Sequence, residues 1–189
     1  MEAAYFCCHM SEKTIKVVLS GKRFQIMIDR LCQELIENYE LFEDTCLIGI
    51  QAKGVYLANR IYHRLTTKFG IPSMEYGKLD ITFYRDDFRT TNKPLKPNTT
   101  EINFLVEAKK VILVDDVTYT GRTIQAALTG LNYYGRPSKV ELLTLVDRRF
   151  NRHVPITTDY IGMTVDTVDA YVKVEWEEIT GTDQVLLYS

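Results

Sequence analysis

The sequence predicts an α/β domain built on a central, mostly parallel sheet with helices packed against it. Three observations carry that prediction. Short apolar runs of strand type alternate with longer segments of helical period, the pattern of strand–helix–strand units. The joints between them are tight, as where "QAKG" separates the run Cys46–Ile50 from the next helical segment. And 189 residues, 46% apolar and 25% charged, suit one soluble domain with a core of its own. Crossovers between parallel strands are expected to be right-handed.

The elements follow in order. Residues 1–18 read as an N-terminal extension with a first strand, and 19–189 as a single domain. The opening "MEAAYFCCHM" lacks the basic start and the long apolar stretch of a signal peptide, and Met10 is a candidate start. Lys22 to Tyr39 places Phe24, Ile28, Leu31, Leu35 and Ile36 at helical spacing, with Ser20 and Gly21 suited to its beginning. Cys46–Ile50 is a buried strand, and Val55–Leu65 a helix. "KLDITFY" (Lys78–Tyr84) alternates like a strand. The polar stretch after it holds Pro94 and Pro97 and has no period, which predicts a flexible loop over about 85–107. Lys109–Val114 is a strand, Gly121–Gly135 a helix ending in glycine, and Lys139–Asp147 another strand. The short runs "TDYIG", "YVKVEW" and "QVLLY" predict a smaller antiparallel subdomain at the C-terminus.

Composition excludes some functions. The net charge of -2 leaves nucleic-acid binding to a local basic patch. No segment approaches the ~20 apolar residues of a membrane span. Cys7, Cys8, Cys32 and Cys46 have neither zinc-site nor disulfide spacing, so reduced thiols in a cytoplasmic protein are expected. His9, His63 and His153 have no metal-ligand partners at useful spacing, and Tyr133, Tyr134 and Trp176 read as packing residues.

The chemistry concentrates in "VILVDDVTYTGRT", Val111 to Thr123. In open α/β sheets ligands bind beyond the carboxyl ends of the strands, and Asp115 and Asp116 end such a strand. The loop from Thr118 to Thr123 leads into a helix, whose free amides and positive dipole end attract a phosphate. Gly121 permits close approach or positive φ, and Thr120 and Thr123 add hydroxyl donors. The glycine–lysine pattern of a Walker loop is missing. Two carboxylates beside a phosphate cradle suit a sugar diol one ester away, and can hold magnesium directly or through water. The plainer alternative, Asp116 capping a turn and Asp115 solvated, is outweighed by the hydroxyl–glycine loop and the helix after it.

Two further anion sites are expected. Lys53, with Gly49 and Gly54 permitting a tight turn, is suited to a diphosphate, a surface turn with a solvated lysine being the competing reading. Arg85 opens the long loop and is placed to close over the same group. Asp86 and Asp87 read as solvating that loop.

At this point the chain resembles a known family. "VILVDDVTYTGRT" looks like the 5-phosphoribosyl-1-pyrophosphate (PRPP) signature of type I phosphoribosyltransferases. With "IGIQAKGVYLANRI", "LDITFYRDD", "GRPSKVELLTLVDR" and "VPITTDYIG", in family order from about Leu19 onward, the chain more specifically resembles the PyrR family. These are bifunctional regulators of the pyrimidine operon and uracil phosphoribosyltransferases. The resemblance implies the type I phosphoribosyltransferase fold with a small C-terminal hood. It implies conversion of uracil and PRPP to UMP and diphosphate with Mg²⁺, and UMP-responsive binding to an mRNA leader. It implies a homodimer or a higher assembly of dimers.

Site residues follow by position. Asp115 and Asp116 would hold the ribose hydroxyls, either of them the candidate for direct contact with Mg²⁺. Val117, Thr118, Tyr119, Thr120, Gly121, Arg122 and Thr123 would hold the 5-phosphate. Ala52, Lys53 and Gly54 would meet the diphosphate, Arg85 would belong to the closing loop, and Arg148 and Val172 would line the base pocket.

The chain departs from the family in three places. Gln51, Ala52, Lys53 and Gly54 stand where the family has lysine–threonine–arginine–glycine. "RFNRHVPI" is one residue longer than the family pattern and lacks its glycine. Asp29, Arg30 and Gln33 stand where the family has a threonine, an arginine and a histidine on its RNA-contacting helix, so the arginine is kept and an aspartate is added, while Lys22, Arg23 and Arg30 still carry positive charge. Two other functions are weighed against the first: a nucleotide-sensing RNA regulator without turnover, and a transferase for a purine or orotate.

Overall fold

The computed structural model describes residues 14–39, 42–71, 74–85, 97–167 and 170–189. Among them a five-stranded sheet runs in the order β3-β2-β4-β5-β6, with β2 Thr45–Ile50, β3 Glu75–Leu79, β4 Lys110–Thr118, β5 Lys139–Arg148 and β6 Tyr160–Val165. Every neighbouring pair is parallel. A second, antiparallel sheet has the order β1-β8-β7, with β1 Ile15–Ser20, β7 Tyr171–Glu175 and β8 Gln184–Tyr188. The helices are α1 Gly21–Tyr39, α2 Gly54–His63, α3 Arg122–Leu131 and the short α4 Glu177–Thr180. No helix among the described residues is long and apolar enough to cross a membrane.

Parallel strands covered on both faces must be apolar throughout, and alternation then sorts their residues between two cores. On β4, Ile112 and Val114 join Phe24, Ile28 and Leu31 of α1 and Leu57 and Ile61 of α2 on one face. Val111 and Leu113 join Ile124, Ala127 and Leu131 of α3 on the other. Trp176 is fully buried against Phe24 and Tyr56, the packing role its sequence context predicts. Cys32 and Cys46 are buried, and burial pushes both thiols up to about 12.

The strand order fixes where a ligand can sit. From β2 the chain crosses through α2 to β3 on one side; from β4 it crosses through α3 to β5 on the other. The loops after β2 and β4 therefore diverge and leave a crevice between them, at the switch point of the sheet.

Several expectations are corrected. β4 continues through the acidic pair to Thr118, because Asp115, Val117 and Thr118 still pair with β5. The strand expected over Lys78–Tyr84 begins earlier and stops at Leu79. Asp80 ends it: its Oδ1 accepts bonds from the amide (3.0 Å) and hydroxyl (2.6 Å) of Thr82, and its Oδ2 from the amide of Asn98. That is an Asx turn, which competes with the ladder. "TDYIG" belongs to the edge of the main sheet as β6, outside the hood. The hood instead recruits β1, which crosses the boundary expected at residues 18 and 19. The later part of the expected flexible loop is packed, since Glu101 pairs with Lys78 and Ile102 and Val106 are buried. Cys7, Cys8, His9, Met10, Asp86, Asp87 and Pro94 lie outside the described residues.

Candidate active site

The crevice is built from three strand ends. At the end of β4, the amide of Asp116 donates to Asp115 Oδ1 (2.9 Å), and the amide of Val117 to Asp116 Oδ1 (3.0 Å). These local bonds hold both carboxylates at the strand's end. Asp115 is buried, and burial together with the neighbouring Asp116 charge pushes its carboxyl well above the ordinary value, against the pull of Arg85. Burial raises Asp116 too, opposed by Lys53. The pair is therefore short of donors and positive charge, which hydroxyls or a cation would supply.

The loop after β2 closes the crevice from the other side. A Cβ on Gly49 would stand 2.8 Å from that of Ala58, so glycine lets α2 fold back tightly on β2. The Gln51–Ala52 peptide is cis. Gln51 donates from its amide to Leu79 O and from its side chain to Thr99 O, both at 2.9 Å, tying the turn to the neighbouring loops. A cleft of about 220 Å³ is lined by Gln51, Ala52, Lys53, Ile81, Arg85, Asp115, Asp116, Val117 and Thr123.

A second cleft of about 150 Å³ is lined by Asp115, Val117, Thr118, Tyr119, Thr120, Gly121, Thr123 and Ile124. It shares Asp115, Val117 and Thr123 with the first, so the two are contiguous. Gly121 precedes α3 at φ +86°, in the left-handed region, and provides no side-chain cap to the helix start. The Thr118 hydroxyl is buried in this cleft wall with no protein hydrogen-bond partner. The Arg122 amide makes only a long bond to the Thr120 hydroxyl (3.4 Å), and this helix start together with the orphaned Thr118 hydroxyl around one small polar cleft suits an oxyanion group.

The segment after β5 straps the loop down. The amides of His153 (3.0 Å) and Val154 (3.2 Å) donate to Thr120 O, and a Cβ on Gly121 would meet Val154 at 3.3 Å. Arg152 donates to Tyr119 O and forms an ion pair with Asp147. Asn151 donates to the Tyr119 hydroxyl at 3.1 Å.

Most of the residues singled out in the sequence meet here, Asp115, Asp116, Ala52, Lys53, Arg85, Val117–Gly121 and Thr123 all lining the clefts. Four do not. Gly54 is a packing residue beneath them. The Arg122 side chain points to His153 Nδ1 (3.3 Å) and lines neither cleft. Arg148 is 7% exposed with its guanidinium 3.7 Å from the Tyr119 ring centroid, and Val172 lies in the apolar core with Val174 and Trp176. The end of "LTLVD", Asp147, was expected beside the same crevice as a third strand end, and it anchors Arg152 there. Gln51, Ile81, Asn151 and Arg152 were given no site role; the segment carrying Asn151 and Arg152 has no period to read.

Residues 15–179 match the family model described as the phosphoribosyl transferase domain. Three relatives, each a "Bifunctional protein PyrR", cover nearly the whole chain. That of Elusimicrobium minutum is 37% identical over 91% of this chain and 96% of its own. That of Desulfosudis oleivorans is 42% identical (90% and 94%), and that of Halalkalibacterium halodurans 39% (91% and 96%). Among solved structures, the hypoxanthine phosphoribosyltransferase of Staphylococcus aureus superposes with a TM-score of 0.66 at 19% identity, over 90% of each chain. That of Trypanosoma cruzi gives 0.67 at 16% identity, over 91% of this chain and 95% of its own. At such identities the likeness is one of fold.

Proposed function

The chain belongs to the phosphoribosyltransferase family, and within it to the bifunctional PyrR proteins, and from that premise we propose that it converts uracil and PRPP to UMP and diphosphate. One observation carries this: the acidic pair, the loop into the start of α3 and the Lys53 turn line two contiguous clefts at the switch point of the sheet.

Each residue then has a task. Asp115 and Asp116 accept hydrogen bonds from the two ribose hydroxyls. The amides of residues 118–123 and the Thr118 hydroxyl hold the 5-phosphate. Lys53 and Arg85 line the diphosphate side. As the bond from C1 to the diphosphate loosens, positive charge grows on the ribose, and the two carboxylates beside it stabilise that charge. Lys53 offsets the charge gathering on the departing diphosphate. By position in the family pattern Arg148 and Val172 would meet the base, although neither lines the two clefts: Arg148 packs on the Tyr119 ring and Val172 in the apolar core.

The residues fit a metal that arrives with the substrate. Among the described residues no three histidines, cysteines or carboxylates come together to hold one, whereas Mg²⁺ keeps most of its waters and needs only one or two carboxylates beside substrate phosphates. Bound with PRPP, it neutralises diphosphate charge; Asp115 or Asp116 is its candidate protein contact.

UMP-responsive binding to an mRNA leader is the second half of the reading. The first helix lends it limited charge. Asp29 is paired with Arg64 (2.9 Å) and Lys68 (2.7 Å). Arg30 donates to Glu34 (3.2 Å) and to the carbonyls of Ile161 and Gly162 (2.5 and 2.7 Å). These contacts favour catalysis over a purely RNA-directed role. Assembly as a homodimer or as paired dimers is supported by the rings of Phe83 and Tyr133, 63% and 76% exposed, with Tyr84, next to Phe83 in the chain, 5.7 Å from Tyr133 between ring centroids. A cytoplasmic location fits the buried free thiols of Cys32 and Cys46.

The test is UMP formation from uracil and PRPP with Mg²⁺, with hypoxanthine, guanine and orotate in parallel. Turnover with uracil alone is expected. Turnover with a purine or orotate instead would replace the base, and UMP binding without any turnover would favour the sensor.

A further inference from the structure

Tyr119 belongs to the loop read as the phosphate cradle, yet its side chain is engaged elsewhere. Its ring centroid lies 3.7 Å from the guanidinium carbon of Arg148, which is only 7% exposed at the end of β5. Asn151 donates to its hydroxyl at 3.1 Å. Arg152 donates to its carbonyl and, through its other terminal nitrogen, to the carboxylate of Asp147. Ring, hydroxyl and carbonyl of one residue are thus each held by the end of β5 or the segment after it. A guanidinium this close to a ring and this far from water makes the stronger kind of cation–π contact, and the planar ion has few ways to leave it.

We infer that Tyr119 is a positioning residue for base recognition: it holds the Arg148 guanidinium in place, so affinity for the base depends on a tyrosine of the phosphate loop. This rests on the reading of Arg148 as a base contact. The phosphate itself is held chiefly by backbone amides and the Thr118 hydroxyl, which a side-chain change at Tyr119 leaves in place. The two halves of a nucleotide then respond differently to that change.

Calorimetric titration of the full chain with UMP and with ribose 5-phosphate separates them, since the two ligands differ by the base. Tyr119→Leu is expected to weaken UMP about tenfold and ribose 5-phosphate less than about twofold. Tyr119→Phe keeps the ring, loses the Asn151 bond and falls between wild type and Tyr119→Leu for UMP. In turnover, Tyr119→Leu is expected to raise KM for uracil and leave KM for PRPP within about twofold. Arg152→Ala, which frees the Tyr119 carbonyl, serves as a second variant and is expected to shift UMP in the same direction. Equal weakening of both ligands would assign the residue a merely structural role and overturn the inference with the nucleotide site intact, as would unchanged UMP affinity in Tyr119→Leu. A wild-type protein that binds neither ligand removes the inference together with the function it rests on.

Discussion

Gly54 faces the carbonyl oxygen of Val114 so closely that a Cβ on it would stand 2.4 Å from that oxygen and 2.9 Å from the Asp115 Cα. The first residue of α2 is therefore docked on the strand that carries the acidic pair. The contact holds the Lys53 turn against Asp115, and it gives Gly54 a packing role that no other residue could fill.

Gly54→Ala has no flexible side chain to push aside, only backbone. It is expected to lose about 2–4 kcal/mol of stability in denaturant unfolding. It is also expected to lose activity at temperatures where it remains folded, because the acidic pair must shift. Wild-type stability and turnover would show that the two loops are independent.

The acidic pair sets stability against function. Burial and the Asp116 charge raise the Asp115 carboxyl, so the ligand-free fold binds its proton more tightly than the unfolded chain does. That contribution is fully present below the ordinary carboxylate value and is lost as pH rises through the raised one. Asp115→Asn removes the dependence. Its melting temperature is expected to fall less steeply than that of wild type as pH rises above the ordinary carboxylate value, and to equal or exceed it once Asp115 is ionised. Asp115→Asn and Asp116→Asn should keep the fold and each lose about a hundredfold or more in transfer. An Asp116→Asn variant with near wild-type turnover contradicts the assignment.

Asp183 works in the opposite sense. Burial alone would raise its carboxyl, but bonds from Arg60 (2.6 Å), the Glu177 amide (2.9 Å) and Gln25 (2.8 Å) overcome this and hold it low. Its contribution is present above the ordinary carboxylate value and is lost as pH falls through the depressed one. Arg60 in turn lies 5.1 Å from the Trp176 ring centroid, so this cluster latches the hood to α1 and α2. Asp183→Ala is expected to cost about 2–4 kcal/mol at neutral pH and progressively less in acid. A loss independent of pH would mean that packing alone holds the latch.

Much of this was legible in the sequence, for a physical reason. Parallel strands and amphipathic helices carry periodic apolar patterns, so β2, α2, β4, α3 and β5 could be read within a few residues. The acidic pair and the loop of hydroxyls and glycine announce themselves because each residue type has a separate chemical task. What could not be read depends on distant partners. Nothing local says that Asp80 will break a strand, that β6 will join the main sheet, or that β1 will pair with β8. The strap over Tyr119 is invisible for the same reason, since Arg152 finds Asp147 and Tyr119 only once β4 and β5 lie side by side.

The ion pairs of α1 bear on RNA. With Asp29 satisfied by Arg64 and Lys68, and Arg30 bonded to β6, few cations on that helix remain for phosphates. Affinity for a pyrimidine-operon leader in the presence of UMP is expected to fall only about tenfold between about 50 and 200 mM salt. A fall of a thousandfold or more in filter binding would point to a larger basic surface elsewhere.

The most direct measurement is a crystal structure of the protein soaked with UMP. The expected result puts both ribose hydroxyls about 3 Å from the carboxylates of Asp115 and Asp116, and the phosphate on the amides of residues 118–123. A ribose bound away from the acidic pair, or a phosphate held anywhere but at the start of α3, would contradict the account.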